Sequence, residues 1–366
     1  MQSRSRPIDR ILFWSVVALV GGGVFIFLSA SLGLLAREGI SLGDVALSQL
    51  VIGLGFGSIA CYVISTLPYR YIRKYALPLY VVAIIITSLV FVPGIGLTLN
   101  GATRWLSLGP LTFQPAELLK IAYILYLATW LSAWKSKLAE PQYGIIPFLI
   151  ITAIAGVVLL LQPDTDTFFI IAAAGVAMYL VSGAKIRDIA IIILIAVIGI
   201  MILIASRPYL LDRFLTYLDP SRDPQGSSYQ LQQSLLAVGA GEIVGRGFGQ
   251  SIQKFGKLPE PISDSIFSVF AEEFGFIGSA TLVLLFLTFA LRGMWVAARA
   301  PDLFGGLLTI GIVTIISVQS FLNISAMLGI VPLSGLPLVF ISHGGSALLL
   351  SLIAVGIVFS VSRAVR

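Results

Sequence analysis

The chain has 366 residues, 58% of them hydrophobic and only 11% charged, and a mean hydropathy of +1.01. Soluble domains carry about 25% charged residues, so a water-soluble enzyme is excluded at the outset and a polytopic, all-α membrane protein is implied. The formal charge of +6 sits in short connections between apolar runs, with no basic run interleaved with aromatics on a soluble surface, which argues against nucleic acid as a partner.

A membrane-crossing helix needs about 20 apolar residues, and ten runs of that kind follow one another: 11–36, 45–66, 75–93, 116–134, 145–162, 167–184, 189–206, 266–291, 303–331 and 345–362. The first, preceded by Arg4, Arg6 and Arg10, is too long for the core of a cleavable signal, about 7–15 residues, and is expected to be retained. Cys61 stands alone mid-run, so no intrachain disulfide can form. Lys and Arg concentrate on one side of the runs: Arg4, Arg6, Arg10, Arg70, Arg73, Lys74, Lys135, Lys137, Lys185, Arg187, Arg292, Arg299, Arg363 and Arg366. The opposite short connections hold only Arg37 and Arg104. The bias places both termini in the cytoplasm.

The connection 100–120, NGATRWLSLGPLTFQPAELLK, lies on the outer side. Arg104 and Trp105 suit a lipid–water interface, and Pro115 and Glu117 suit the first turn of the next helix. Further on, Gln162-Pro163-Asp164 breaks an apolar run, with Asp164 suited to cap the helix that follows. Asp164, Asp166 and Asp264 are hard oxygen donors that suit a magnesium or manganese site if the fold brings them together.

One connection is much longer than the rest. Residues 207–265, the large outer loop between the seventh and eighth runs, carry six acidic and six basic residues. The segment LLDRFLTYLDPSRDP begins as a helix and ends in Asp219-Pro220 and Asp223-Pro224 turns, and SSYQLQQSLLAVGAG reads as an amphipathic helix. GAGEIVGRGFGQS matches neither dinucleotide-binding nor P-loop spacing and is expected to form a tight re-entrant loop.

The loop ends in LPEPISDSIFSVFAEEFG, residues 258–275. Asp264, Ser268 and Glu272 recur at helical spacing, with Glu273 about 100° round the helix. Ser263 or Asp264 can cap the first turn. Carboxylates inside a membrane helix are costly unless they face protein or water. Two readings of Glu272 and Glu273 therefore stand: a polar path with Lys120 and Glu117, or a structural pair, for example with Lys120. His343, beside Gly344-Gly345, titrates near neutrality, although a lone histidine there is more often structural.

Taken in order, NGATRWLSLGPLTFQPAEL, LLLQPDTDT, the segment from DRFLTYLDPSRDP to GRGFGQSIQK, LPEPISDSIFSVFAEEFGFIG and QSFLNISAMLGIVPLSGLPLVFISHGGSALL resemble the SEDS family of shape, elongation, division and sporulation proteins over nearly the whole chain. The resemblance implies a single SEDS-type membrane domain over 1–366 with ten transmembrane helices, in the bacterial cytoplasmic membrane. It implies a peptidoglycan glycosyltransferase polymerising lipid II, the undecaprenyl-pyrophosphate-linked disaccharide pentapeptide, for cell division or cell shape. Gly249-Gln250-Ser251-Ile252-Gln253-Lys254 resembles the FtsW-like, division branch more than the RodA-like one. The family's essential aspartate falls on Asp264, the candidate catalytic base. Arg104, Arg213, Lys254, Lys257, Glu260, Ser342 and His343 become candidates for substrate contact, and Asp164 with Asp264 for a divalent cation. A class B penicillin-binding transpeptidase and other divisome or elongasome membrane proteins become expected partners, with a partner helix received on the long ninth helix and its neighbours. A lipid II flippase and a non-catalytic scaffold are the competing functions. The sequence departs from the family pattern at Pro261, Ile262, Ser263 and Ser265 around the aspartate, at Asp166 (usually glycine), Val339 (usually proline) and His343 (usually tyrosine).

Overall fold

A computed structural model describes residues 7–36, 42–99, 102–108, 111–219 and 228–365. Arg4, Arg6, Arg37, Arg222, the Asp223-Pro224 turn and Arg366 lie outside the described residues. Eight described helices are long and apolar enough to cross a membrane: α1 (Arg10–Leu34), α2 (Gly43–Thr66), α3 (Tyr69–Phe91), α4 (Pro115–Ala133), α7 (Ile186–Ser206), α10 (Ile266–Ala298), α11 (Leu303–Met327) and α12 (Gly345–Ala364). Two shorter apolar helices, α5 (Ile145–Leu161) and α6 (Thr165–Val181), stand where the remaining two runs were read. At about 1.5 Å per residue these two are some 25 Å long.

The centre of the bundle is α11, α12 and α4, whose side chains are mostly buried, whereas α7 is exposed along almost its whole length. The ninth helix is therefore interior and does not offer the partner-receiving surface expected of it. Its many small residues bring neighbours close: a Cβ on Gly311 would lie 2.6 Å from Ile124 and 2.7 Å from the Met178 sulfur.

To the helices the structure adds a small antiparallel meander between α3 and α4, β1 (Gly96–Leu99), β2 (Ala102–Leu108) and β3 (Leu111–Phe113), in the order β1-β2-β3. Gly96 pairs with Leu106, and Leu106 with Phe113. Asn100-Gly101, a strong two-residue hairpin signal, separates β1 from β2. The long outer loop carries two helices, α8 (Pro208–Leu218) and α9 (Tyr229–Ala240). Leu211, Phe214 and Leu218 form an exposed apolar stripe on α8, as expected of a helix lying along a lipid surface.

After α9 the chain turns back at Gly241 and lies against the beginning of α10. A Cβ on Gly241 would come within 2.0 Å of the Ala271 carbonyl oxygen. Gly245 and Gly247 have positive φ, and the Arg246 and Gly247 N–H groups donate to the carbonyls of Glu272 and Glu273. Gly275 leaves helical geometry (φ 62°, ψ −160°), which frees the Phe276 and Ile277 N–H groups to donate to Glu242 and Ile243. The glycine-rich stretch is thus a tight loop stitched to a break in α10.

Candidate functional site

Four segments meet at one end of the bundle: the α5–α6 turn, α8, residues 258–265 before α10, and the extended stretch 331–344 before α12. Asp264 sits in the third of these, just ahead of the helix. Ser265 occupies the N-cap of α10 and makes no side-chain cap bond, so the Asp264 carboxylate is not a helix cap. The main chain is held instead: the Asp264 carbonyl accepts from the Asn323 amide at 2.8 Å, and that amide also donates to the Leu336 carbonyl at 2.7 Å. Partly buried, the Asp264 carboxyl is raised to about 7, first by burial, then by the charges of Glu260 and Asp166, while Arg213 and Arg104 pull it down. Near neutral pH it passes between carboxylate and acid, the range in which a general base is most effective.

Asp166 is the member that sequence reasoning left out of the substrate and catalytic set. Its carboxylate pairs with Arg213 at 3.1 Å and accepts the Gly335 N–H at 3.2 Å. A Cβ on Gly335 would stand 3.7 Å from the Asp264 carboxylate and 4.0 Å from the Arg213 guanidinium. Gly335 thus lies beside both groups, with room for a Cβ at ordinary contact distance, and Asp166 ties α6, α8 and the 331–344 stretch together there. Its signal in the sequence was an acidic residue at a position where the resembled family usually has glycine.

Arg104, on β2, reaches the α5–α6 turn and donates to the carbonyls of Pro163 and, at 3.4 Å, Gln162. Its other nitrogen lies 3.9 Å from Asp164. Asp164 caps α6 by accepting from the Thr167 N–H at 3.4 Å, as its position suggested. Its second oxygen is buried without a partner, and burial raises its pKa. Asp164 and Asp264, the pair read for a divalent cation, both lie near Arg104 and Asp166. Among the described residues no three His, Cys, Asp or Glu side chains gather as metal ligands, and both Asp166 bonds go to nitrogen donors.

Other candidates are placed elsewhere or turned inward. Lys254 is wholly buried: its ammonium pairs with Glu273 at 2.7 Å and donates to Ser29 at 3.1 Å, so it has no surface to offer a phosphate. Glu273 also accepts from the Ser29 hydroxyl and the Ser251 N–H. Glu272 accepts from the Ser251 hydroxyl at 2.5 Å and from the Ile252 and Gln253 N–H groups at 3.1 and 3.2 Å. The two glutamates thus satisfy backbone donors of the glycine-rich loop that would otherwise be left unpaired on burial. Lys120 pairs not with them but with Glu117 at 2.9 Å, one turn away, and with Gln319 at 2.7 Å. The expected polar path of Lys120, Glu117, Glu272 and Glu273 is therefore two separate clusters.

Ser342 is buried, donating to the Ser263 carbonyl at 2.6 Å and accepting the Leu338 N–H at 2.8 Å. It positions the Asp264 segment from behind. His343 donates its N–H to the Ile262 carbonyl at 2.7 Å and stacks on Phe27, and burial lowers its pKa, keeping it neutral. Buried Gln49, which sequence reasoning passed over, grips the same turn through the Ser342 carbonyl and the Gly344 N–H. Lys257 and Glu260 are exposed on the segment leading to Asp264.

Below Asp166 and Arg213 lies a cavity of about 290 Å³, lined by Phe169, Ile200, Leu203, Ile204, Leu210, Phe214, Leu322, Val331 and Leu333 among others. Its walls are apolar, and its charged groups are Asp166 and Arg213. The arrangement suits a ligand that is oily at one end and anionic at the other.

The fold and the site define a multi-pass helical membrane protein with an acid–arginine cluster at one end of the bundle. The chain belongs to the FtsW/RodA/SpoVE family of cell cycle proteins, whose profile matches residues 10–366. It is 39% identical over 309 residues to stage V sporulation protein E of Bacillus subtilis, covering 84% of each chain. It is 36% identical over 358 residues to a probable peptidoglycan glycosyltransferase FtsW from a Geobacter species, covering 98% of this chain and 97% of that protein. Among solved structures, it resembles the rod shape determining protein RodA of Thermus thermophilus with TM-score 0.69 and 26% identity, 97% of each chain being covered. It also resembles a chain from a peptidoglycan synthase complex that coordinates polymerization and crosslinking, with TM-score 0.79 and 28% identity over 97% of this chain and 98% of that one.

Proposed function

We propose that this protein is an inverting glycosyltransferase that polymerises lipid II into glycan strands at the outer face of the bacterial cytoplasmic membrane, with both termini in the cytoplasm. The observation that carries the reading is the apolar cavity of about 290 Å³ rimmed by Arg213 and Asp166, with Asp264 set beside Gly335. A polyprenyl tail enters the cavity from the bilayer while its pyrophosphate meets the arginines. The acceptor sugar hydroxyl attacks the anomeric carbon of the donor, the new C–O bond forms as the bond to pyrophosphate breaks, and the hydroxyl proton passes to the Asp264 carboxylate. Arg213 and Arg104 stabilise the departing lipid pyrophosphate through charge-assisted hydrogen bonds. The likeness to FtsW and to a sporulation protein supports a role in division or a related septation.

The same reading includes a membrane-anchored class B penicillin-binding transpeptidase as partner. On α10, Ile277, Leu284, Leu287, Leu291 and Met294 are exposed at spacings of seven, three, four and three, a coiled-coil-like seam fit for a single-pass helix.

The test is purified Asp264→Asn incubated with lipid II, with and without the transpeptidase, followed by glycan electrophoresis and a lipid II binding assay. Polymer formation falls on the order of 10²-fold or more with the base removed, and binding persists. Glycan chains made at the normal rate would overturn the assignment.

A further inference from the structure

At the opposite end of the bundle from Asp264, near Ser360 of α12, a second cavity of about 270 Å³ opens between α2, α3, α4 and α12. Its depth is formed by residues such as Leu79, Leu118, Leu125 and Ile353, and its mouth by Leu67 and Tyr75, both more than half exposed or close to it at 50% and 56%. The polar groups on this wall are already engaged. The Ser360 hydroxyl donates to the Leu67 carbonyl and accepts the Tyr69 N–H, and the Tyr69 hydroxyl donates to Asp302 at 2.7 Å. Water needs two to four polar partners to stay in a cavity, and this one offers none that is free. Hydrocarbon is the natural filling.

The charges at the mouth say what that hydrocarbon is attached to. The 3-10 helix Tyr69–Tyr75 carries three cations, Arg70, Arg73 and Lys74. Arg70 is neutralised by Asp302 at 2.7 Å. Arg73 and Lys74 are exposed, and among the described residues no carboxylate pairs with either. Both lie over aromatic rings instead, Arg73 at 5.5 Å from the Phe304 centroid and Lys74 at 4.7 Å from that of Tyr75. Since Tyr75 itself lines the cavity, a cation stands at the opening of an apolar slot. Basic pockets between membrane helices recognise anionic headgroups in this way.

We propose that this cavity is a binding site for one anionic phospholipid, an acyl chain occupying the slot and the phosphate resting on Arg73 and Lys74. Asp302 has a part in the specificity: by taking Arg70 and Tyr69 it fixes the rim and leaves two uncompensated charges next to the slot.

The test is native mass spectrometry of the full-length protein released from nanodiscs of equal phosphatidylglycerol and phosphatidylcholine with matched acyl chains. The wild type retains one phosphatidylglycerol in preference to phosphatidylcholine. Arg73→Gln with Lys74→Gln lowers that preference about 30-fold, the effect of two charges at the usual strength near a membrane surface, whereas Arg73→Lys keeps it. Ile353→Trp fills the slot and releases the lipid although both cations remain, with helical circular dichroism reporting that each variant is folded. Equal retention of the two lipids by the wild type overturns the proposal. So does Ile353→Trp holding phosphatidylglycerol as the wild type does, which would mean that surface charge alone attracts it. If Ile353→Trp does not fold, Leu79→Phe is scored by the same two criteria.

Discussion

Replacing Lys254 by methionine separates two roles, the substrate contact that the resemblance implied for it and the internal strut formed by its buried pair with Glu273. The Lys254 and Glu273 side chains are 0% and 1% exposed and 2.7 Å apart. Removing one partner of such a pair leaves a buried charge uncompensated and costs about 3–5 kcal/mol. Here the stranded Glu273 keeps the Ser29 hydroxyl and the Ser251 N–H, so the loss falls near the lower end, about 3 kcal/mol. Glu273→Gln costs a similar amount by stranding the ammonium against Ser29 alone. The double variant loses both charges together and returns to within about 1 kcal/mol of wild type, because well-packed neutral side chains often replace a buried ion pair without penalty. The double-mutant cycle is read by reversible unfolding in mixed micelles, with circular dichroism and the fluorescence of a site near the glycine-rich loop as two probes. If Lys254→Met unfolds within 0.5 kcal/mol of wild type while losing lipid II binding, Lys254 reaches the substrate and the strut is wrong.

Activity should climb with pH through about 7, since the Asp264 carboxyl titrates there and only the ionised form accepts a proton; a flat rate between pH 5.5 and 8 would contradict this. A raised carboxyl also binds protons that the unfolded chain has released, so stability falls as pH rises from the ordinary value of 3.8 towards 7. Asp264→Asn should therefore melt above wild type at pH 8 and level with it at pH 4. Asp166→Gly should free Arg213 and raise the KM for lipid II by roughly tenfold, the worth of one charge-assisted bond, with kcat less affected, and Asp166→Glu should restore part of it. An unchanged KM in Asp166→Gly would remove Arg213 from pyrophosphate binding.

The ten apolar runs were legible because hydrocarbon thickness imposes a minimum length on each crossing, a constraint written in one dimension. The caps at Asp164 and the start of α4 were legible for the same reason: they depend on neighbours three or four residues away. Lys120 and Glu117 had that spacing too, yet the sequence equally allowed Lys120 to reach Glu272. Only the fold decides between partners 3 and 152 residues distant. The clasp of Lys254 on Glu273 was hidden because it requires the chain to double back through Gly245, Gly247 and Gly275, whose positive φ values are permitted by glycine without being announced by it. Asp264 was recognisable as a site through the resemblance, whereas its neighbours Asp166 and Gly335 come from α6 and the 331–344 stretch and meet it only in three dimensions. The β-meander had a local sign, Asn100-Gly101, that the interfacial reading of Arg104 and Trp105 passed over.

The length of α10 sets a height. Its 33 residues span about 50 Å, against a hydrocarbon layer of about 30 Å. From Ile266 to Gly275 the side chains are buried or nearly so, and the large exposed apolar residues begin only at Phe276. Those first ten residues therefore form a pedestal roughly 15 Å tall, braced by the glycine-rich loop. Asp264 thus stands about 15 Å along the helix axis from the first large exposed apolar residue, and on the proposed reading a saccharide can be worked on there while its lipid anchor stays in the bilayer.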